Sequence, residues 1–249
     1  MNLSRRSFFA GLIACPICAA SARAESAHWA YEGHGGPADW GELDKSFTAC
    51  SIGTQQSPID LAGGIKADLV DLAFDWKPQA YKIANNGHTI QANAAPGSTI
   101  GLDGARFELK QFHFHTPSEH VLNGRRSAME VHFVHADANG QLAVVGMLMK
   151  AGNALPAFAA IMADAPSKEG EKTAAAPIDP NSFRPESRTL YRYHGSLTTP
   201  PCSEIVNWNV FTNEIEVAQA DIAAFQALFP MNARPLQTMN RRFLLRNGF

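Results

Sequence analysis

Gln111-Phe112-His113-Phe114-His115 decides how this chain is read, together with Glu130-Val131-His132-Phe133-Val134-His135 further on. In a β-strand alternate residues share a face. His113 and His115 therefore aim two imidazoles at one point, while Phe112 and Phe114 face the other way. A neighbouring strand that carries His132 supplies a third. Three neutral imidazoles on rigid strands leave one open tetrahedral position on Zn²⁺, the arrangement of a catalytic site rather than a closed structural one. Taken alone, a His-x-His pair reads equally as the polar face of a strand.

Around these stretches short alternating segments recur from about residue 69 to 149. Turn signals separate them: Asn85-Asn86-Gly87, Ala95-Pro96-Gly97, Asn123-Gly124 and Asn139-Gly140. The spacing predicts strands over 107–115, 128–135, 142–150 and 203–211. Helical periodicity covers 155–164 and 221–229, the second stopped by Pro230, and 165–188 reads as a Pro-rich connection. Residues 28–64 are rich in Gly, Trp and Pro and read as irregular structure packed by aromatic rings. The expectation is a single domain, mostly β with short peripheral helices and no internal linker.

The chain of 249 residues carries 21 Lys+Arg against 23 Asp+Glu, a formal charge of −2. Residues 1–6 are basic, 7–20 apolar, and Ala22-Arg23-Ala24 has the small-x-small pattern of a cleavage site. Residues 1–24 thus read as a cleaved export signal ahead of a mature domain over 25–249. Ser4-Arg5-Arg6-Ser7-Phe8 resembles a twin-arginine signal. Leu12-Ile13-Ala14-Cys15 also resembles a lipoprotein box, the alternative being a lipid anchor through Cys15. Cleavage after Ala24 removes three arginines and no acid, which takes the formal charge to −5. A mildly acidic domain without a basic run argues against nucleic acid as a partner. No apolar run in 25–249 is long enough to span a bilayer. Cys50 and Cys202 remain after cleavage, and two cysteines in an exported chain suggest one disulfide. Two free thiols, or thiolate metal ligands, are the alternatives.

Ligating imidazoles need acceptors for their outer N–H groups. Gln111 and Glu130 each precede a ligand candidate by two residues and lie on the same strand face. Glu130 reads otherwise as a surface charge. A threonine hydroxyl tied to a carboxylate accepts a hydrogen bond only from the attacking oxygen, which orients it. Thr116-Pro117-Ser118-Glu119-His120 follows the His pair at once, and Gly195-Ser196-Leu197-Thr198-Thr199-Pro200-Pro201-Cys202 comes later in the chain.

These stretches, with Ser118-Glu119-His120 and Gly195-Ser196-Leu197-Thr198-Thr199-Pro200-Pro201, resemble an α-class carbonic anhydrase of the bacterial periplasmic type. His28-Trp29-x-Tyr31, Gly36-Pro37-x-x-Trp40, Gln56-Ser57-Pro58-Ile59-Asp60 and Asn85-Asn86-Gly87-His88 extend the resemblance in order from about residue 28 to Asn240-Arg241. The resemblance implies a central, mainly antiparallel twisted sheet with small surface helices. It implies reversible hydration of CO₂ to bicarbonate and a proton by a zinc-bound hydroxide, with a histidine proton shuttle.

Carried over by position, His113, His115 and His132 would bind zinc. Thr198 would orient the nucleophile, with Glu119 accepting its hydroxyl proton. Val134, Val144, Leu197 and Trp208 would line the CO₂ pocket, and Thr199 would face bicarbonate. Gln111, Glu130 and the backbone around Asn240 would support the ligands. His88 would be the shuttle, with Tyr31, Asn86 and Gln91 ordering a water chain. His120 and His135 match no ligand role and read as structural. The short segment between His115 and Glu119, Gln91 in place of an asparagine, and the Cys50/Cys202 pair resemble the bacterial branch. That branch holds monomers and dimers, which leaves a homodimer open. A binding module on the same fold is the second reading; it would not need the intact triad with Thr198 and Glu119.

Overall fold

The computed structural model describes residues 28–247; the export-signal and lipid-anchor readings lie outside the described residues. A large mixed sheet organises the chain. Along its main path the strands are Gly170–Thr173, Lys82–Asn85, Ile90–Asn93, Ala105–His115, Met129–Ala136, Leu142–Ala151, Val206–Val217, Leu190–Gly195, Leu245–Arg246 and Ile65–Lys66. Neighbours are antiparallel except Leu142–Ala151 against Val206–Val217 and Leu245–Arg246 against Ile65–Lys66. Ala73–Asp75 and Thr99–Leu102 pair off this path. The expected sheet is therefore present, but one parallel pair lies near its middle.

The strand Ala105–His115 contains the device that separates site from core. Phe107 and Leu109 are buried, then Lys110 is exposed, then Phe112 and Phe114 are fully buried. Leu109 pairs with His135 and Gln111 with Val134, so Lys110 is an extra residue opposite no partner. Such a β-bulge shifts the pleat by one residue. Odd-numbered residues face the main core before it and even-numbered residues after it. Gln111, His113 and His115 are thereby turned to the opposite face.

On the core side, Phe112 and Phe114 meet Tyr81, Phe133, Phe158, Phe183 and Phe225 at ring separations of 4.7–6.2 Å. Pro156–Asp164 and Gln219–Leu228 cover that core, burying Phe158, Ile161, Ile222 and Phe225. The site side has a smaller core built from Ile59, Leu61, Val144, Tyr191, Tyr193, Val206, Trp208 and Val210.

The expected strands and both helices are present within a few residues, and Val206–Val217 runs on past Phe211. The connection 165–188 holds a strand, Gly170–Thr173, and a 3₁₀ turn, Pro180–Phe183. Leu190–Gly195 is a strand that its sequence hides. Arg192 is buried there, held by Asn209 Oδ1 at 2.7 Å and by Asp103, so polar and apolar residues do not alternate cleanly. Cys50 and Cys202 form a disulfide with a Cα–Cα distance of 5.0 Å. No helix among the described residues is long and apolar enough to cross a membrane.

Candidate metal centre and active site

Register brings the three histidines together. His113 pairs with His132 across Ala105–His115 and Met129–Ala136, and His132 pairs with Gly146 on the next strand. The rings of His113, His115 and His132 stand 4.6–5.4 Å apart, centroid to centroid. One nitrogen from each lies within 4.8 Å of the others.

Each ring is held from outside. His113 Nδ1 donates to Gln111 Oε1 at 2.8 Å, and His115 Nδ1 donates to the carbonyl of Asn232 at 2.8 Å. His132 Nε2 lies 2.9 Å from Glu130 Oε1, short of the alignment of a regular hydrogen bond. These partners fix the tautomers. His113 Nε2, His115 Nε2 and His132 Nδ1 are left with inward lone pairs. His115 Nε2 is fully buried with no hydrogen-bond partner among the described residues. A buried polar atom without a partner is costly. A metal ion at the convergence point relieves that cost, and three neutral imidazoles are donors that suit Zn²⁺. Burial, followed by the proximity of His115 and His132, holds the His113 imidazole well below its ordinary pKa. Burial also lowers that of His115, against the opposing pull of Glu119. Both rings are therefore neutral, as ligation requires.

The support extends further than Glu130. Glu130 Oε1 takes the Nδ1–H of His120 at 2.8 Å, and Oε2 takes the His120 backbone N–H at 2.8 Å. His120 Nε2 then meets Tyr193 Oη at 2.7 Å, and Tyr193 donates to Ser57 Oγ at 2.9 Å. Burial pushes the Glu130 carboxyl up, but His120 and His132 outweigh it and hold it well below the usual range. Gly146 makes room for this carboxylate: a Cβ there would lie 3.0 Å from Glu130 Oε1. His135 is structural, accepting from Trp76 Nε1 at 3.0 Å.

Asn240 is not part of this shell. Its Nδ2 donates to Thr54 O at 2.7 Å, and the carbonyl that holds His115 belongs to Asn232. Asn232 also donates through Nδ2 to His88 O at 3.0 Å and Phe114 O at 2.9 Å, and accepts from Thr116 N at 2.7 Å. It clamps the His88 loop to the ligand strand. A main-chain acceptor leaves no side-chain pattern in a sequence, which is why its position was missed.

Glu119 is fully buried and anchored by Arg234 N on Oε1 at 2.8 Å. Arg234 is itself buried and bonded to Gln56 Oε1, Ser57 O and Cys50 O. The expected bond from Thr198 to Glu119 is not formed. Glu119 Oε2 points at the ligand rings, 3.6 Å from His115 Nε2 and 3.9 Å from His132 Nδ1, and takes no hydrogen bond.

A cavity of about 150 Å³ opens above the triad. Val134, Val144 and Trp208 lie in one row across three strands, paired Val134 to Val144 and Val144 to Trp208. Leu197, Thr198 and Thr199 close the wall beside them. Tyr31, Asn86, His88 and Gln91 line the same cavity. Asn86 Oδ1 accepts the backbone N–H of His88 and Thr89, and Gly87 at φ +85° completes the turn. Gln91 Nε2 donates to Asn93 at 2.6 Å. His88 is half-buried and lies flat on Trp29, 3.7 Å away and 9° from parallel, with His28 at 6.4 Å. The His28-Trp29-x-Tyr31 pattern carries no signal for this stacking, because the ring's partner lies 59 residues away in sequence. Burial, then His28, lowers the His88 imidazole, with Glu169 opposing. Burial, then Glu119, pushes the Tyr31 phenol well up.

A family model described as eukaryotic-type carbonic anhydrase matches residues 35–247. The chain belongs to this family. It is 42% identical over 234 residues to the carbonic anhydrase of Nostoc sp., covering 90% of this chain and 88% of that one. It is 37% identical over 231 residues to the carbonic anhydrase of Pectobacterium carotovorum, covering 92% and 95%. Among solved structures, the α-carbonic anhydrase of Thermovibrio ammonificans in complex with the inhibitor sulfanilamide superposes with a TM-score of 0.86 at 42% identity. That match covers 88% of this chain and 99% of the other. The chain is thus a carbonic anhydrase of the α class, a lyase family whose general reaction is CO₂ hydration.

Proposed function

We propose that this carbonic anhydrase uses zinc for the reversible hydration of CO₂ to bicarbonate and a proton, and works in the periplasm. The supporting observation is the convergence of His113, His115 and His132 around the buried and unpartnered His115 Nε2, with the outer nitrogens of His113 and His115 hydrogen-bonded and that of His132 2.9 Å from Glu130 Oε1.

His113 Nε2, His115 Nε2 and His132 Nδ1 would hold the metal. When bound there, zinc supplies a nucleophile at neutral pH by lowering the pKa of coordinated water. The chain does the rest. Gln111, Glu130 and the Asn232 carbonyl hold the imidazoles in one tautomer and orientation. Thr198 orients the attacking oxygen, and Glu119 Oε2 is the free acceptor within the site for its hydroxyl proton. CO₂ is small and carries no net charge, so the apolar wall of Val134, Val144, Leu197 and Trp208 suffices to hold it. Thr199 faces the bicarbonate product. His88 takes the released proton on an imidazole nitrogen and passes it on to solvent. Tyr31, Asn86 and Gln91 flank the path between.

Export fits the disulfide, since such bonds persist in oxidising compartments. Residues 1–24 are the proposed signal, of twin-arginine type, and 25–249 the mature domain.

His88→Ala tests the shuttle. We expect CO₂ hydration in weak buffer to fall by roughly a hundredfold, the low end of general acid–base effects, and to recover with added imidazole. An unchanged rate in weak buffer would remove His88 from this role.

A further inference from the structure

A second cavity, larger than the catalytic one at about 730 Å³, opens beside Tyr193. Its floor is Tyr193, whose ring is stacked 8° from parallel with Trp208 at 6.3 Å. Trp208 lines the catalytic cavity, so each ring of this pair borders one of the two cavities. Phe243 and Leu245 give the groove apolar walls, and Phe243 is 71% exposed. A concave, mainly apolar pocket with a few polar groups along its wall is the form a small-molecule site takes.

The charged groups that line the groove are arginines, with no acid among them, in a chain of formal charge −2. Arg242 donates Nε to Met239 O at 3.0 Å, Nη1 to His194 O at 3.2 Å and Nη2 to Thr238 O at 2.8 Å. Its guanidinium stands 5.5 Å over the Tyr193 ring. Carbonyl oxygens and a π face orient this cation without neutralising it, and two of its five N–H donors are left over. Glu204 acts on Arg242 at a distance without an ion pair, its carboxylate taking hydrogen bonds from Gln55 N at 2.6 Å and Gln56 Nε2 at 2.9 Å. Arg241 lines the same groove and, like Arg242, has no ion pair among the described residues. Arg192, the third arginine of the groove, is committed to Asp103 and Asn209.

We propose that this groove is a binding site for a small amphiphilic anion, an aromatic or branched carboxylate or sulfonate. Its apolar body packs on Phe243 and Leu245, and its acid group meets the Arg241 guanidinium and the two remaining N–H donors of Arg242. Planar oxyanions and guanidinium groups pair by parallel charge-assisted hydrogen bonds. The catalytic cavity is chemically different, with histidines at its base and no arginine in its wall.

Anilinonaphthalene sulfonate is the probe, since its ring system and sulfonate match the two halves of the groove. It is titrated by fluorescence into the folded wild-type protein and into Arg241→Glu and Phe243→Ser. Both substituted side chains are exposed and stand outside the catalytic cavity, so the fold and hydratase activity serve as controls. The expected result is saturable one-site binding to the wild type, weakened about tenfold or more in each variant, corresponding to 1.4 kcal/mol or more. Two results would each overturn the proposal: no saturable binding to the wild type, or equal binding to the wild type and both variants.

Discussion

Asn232 is the residue on which the support of the site turns, and its neighbour in the expectation, Asn240, is not. The carbonyl of Asn232 orients His115, while its side chain ties together Thr116, Phe114 and the His88 loop. Asn232→Ala deletes three buried side-chain hydrogen bonds. At roughly 1 kcal/mol each, the cost is about 2–4 kcal/mol, to be read by urea denaturation. Asn240→Ala loses one exposed bond to Thr54 and is expected to leave zinc affinity unchanged. Equal losses of stability in the two variants would refute this assignment. At this scale the convergence of His113, His115 and His132 was legible because strand alternation and imidazole chemistry both speak through side chains. The Asn232 carbonyl was not, because every residue has one. The Glu119 geometry was half legible: its presence in the site follows from the motif, but its anchoring by the Arg234 backbone does not.

At the scale of single strands, one extra residue and one missing side chain set up the site. The bulge at Lys110 reverses which residues face the core, so that Phe112 and Phe114 are buried and His113 and His115 turn outward. Gly146, opposite His132, leaves the space that Glu130 occupies. Gly146→Ala places a methyl 3.0 Å from Glu130 Oε1 and presses on Val210 at 3.3 Å. The expected outcome is a tenfold to hundredfold weaker zinc affinity, the usual cost of disturbing an outer partner of a ligand histidine. Competition with a chelator measures it, and unchanged affinity would show that Glu130 does not need this space. Periodicity predicted strands through 107–115, 128–135 and 142–150, all present. It was silent on Leu190–Gly195, where buried Arg192 is satisfied by Asp103 and Asn209 and so breaks the apolar pattern.

Over the whole molecule, the Cys50–Cys202 bond joins the segment before the first sheet strand to the loop that carries Thr198 and Thr199, across 152 residues of sequence. Closing so long a loop in the unfolded chain stabilises the fold by up to about 5 kcal/mol on chain-entropy grounds. Thiol titration of the denatured, unreduced protein is expected to find both of these cysteines blocked, and reduction is expected to lower the melting temperature. Two free thiols at these positions would contradict the bond and weaken the case for export. The mostly β, single-domain architecture was legible from the recurring short strands and turn signals. The parallel pairing of Leu142–Ala151 with Val206–Val217 was not. Strand direction depends on how the chain returns, and the near-continuous burial of Leu142–Met149 reports a strand covered on both faces without giving its partner's direction.

The most direct test of the account is stopped-flow CO₂ hydration by the mature protein, with zinc content determined on the same sample, beside His113→Ala. Fast hydration with one zinc per chain, both lost in His113→Ala, is the predicted result. Full hydration by His113→Ala, or by wild-type protein shown to hold no metal, would contradict it.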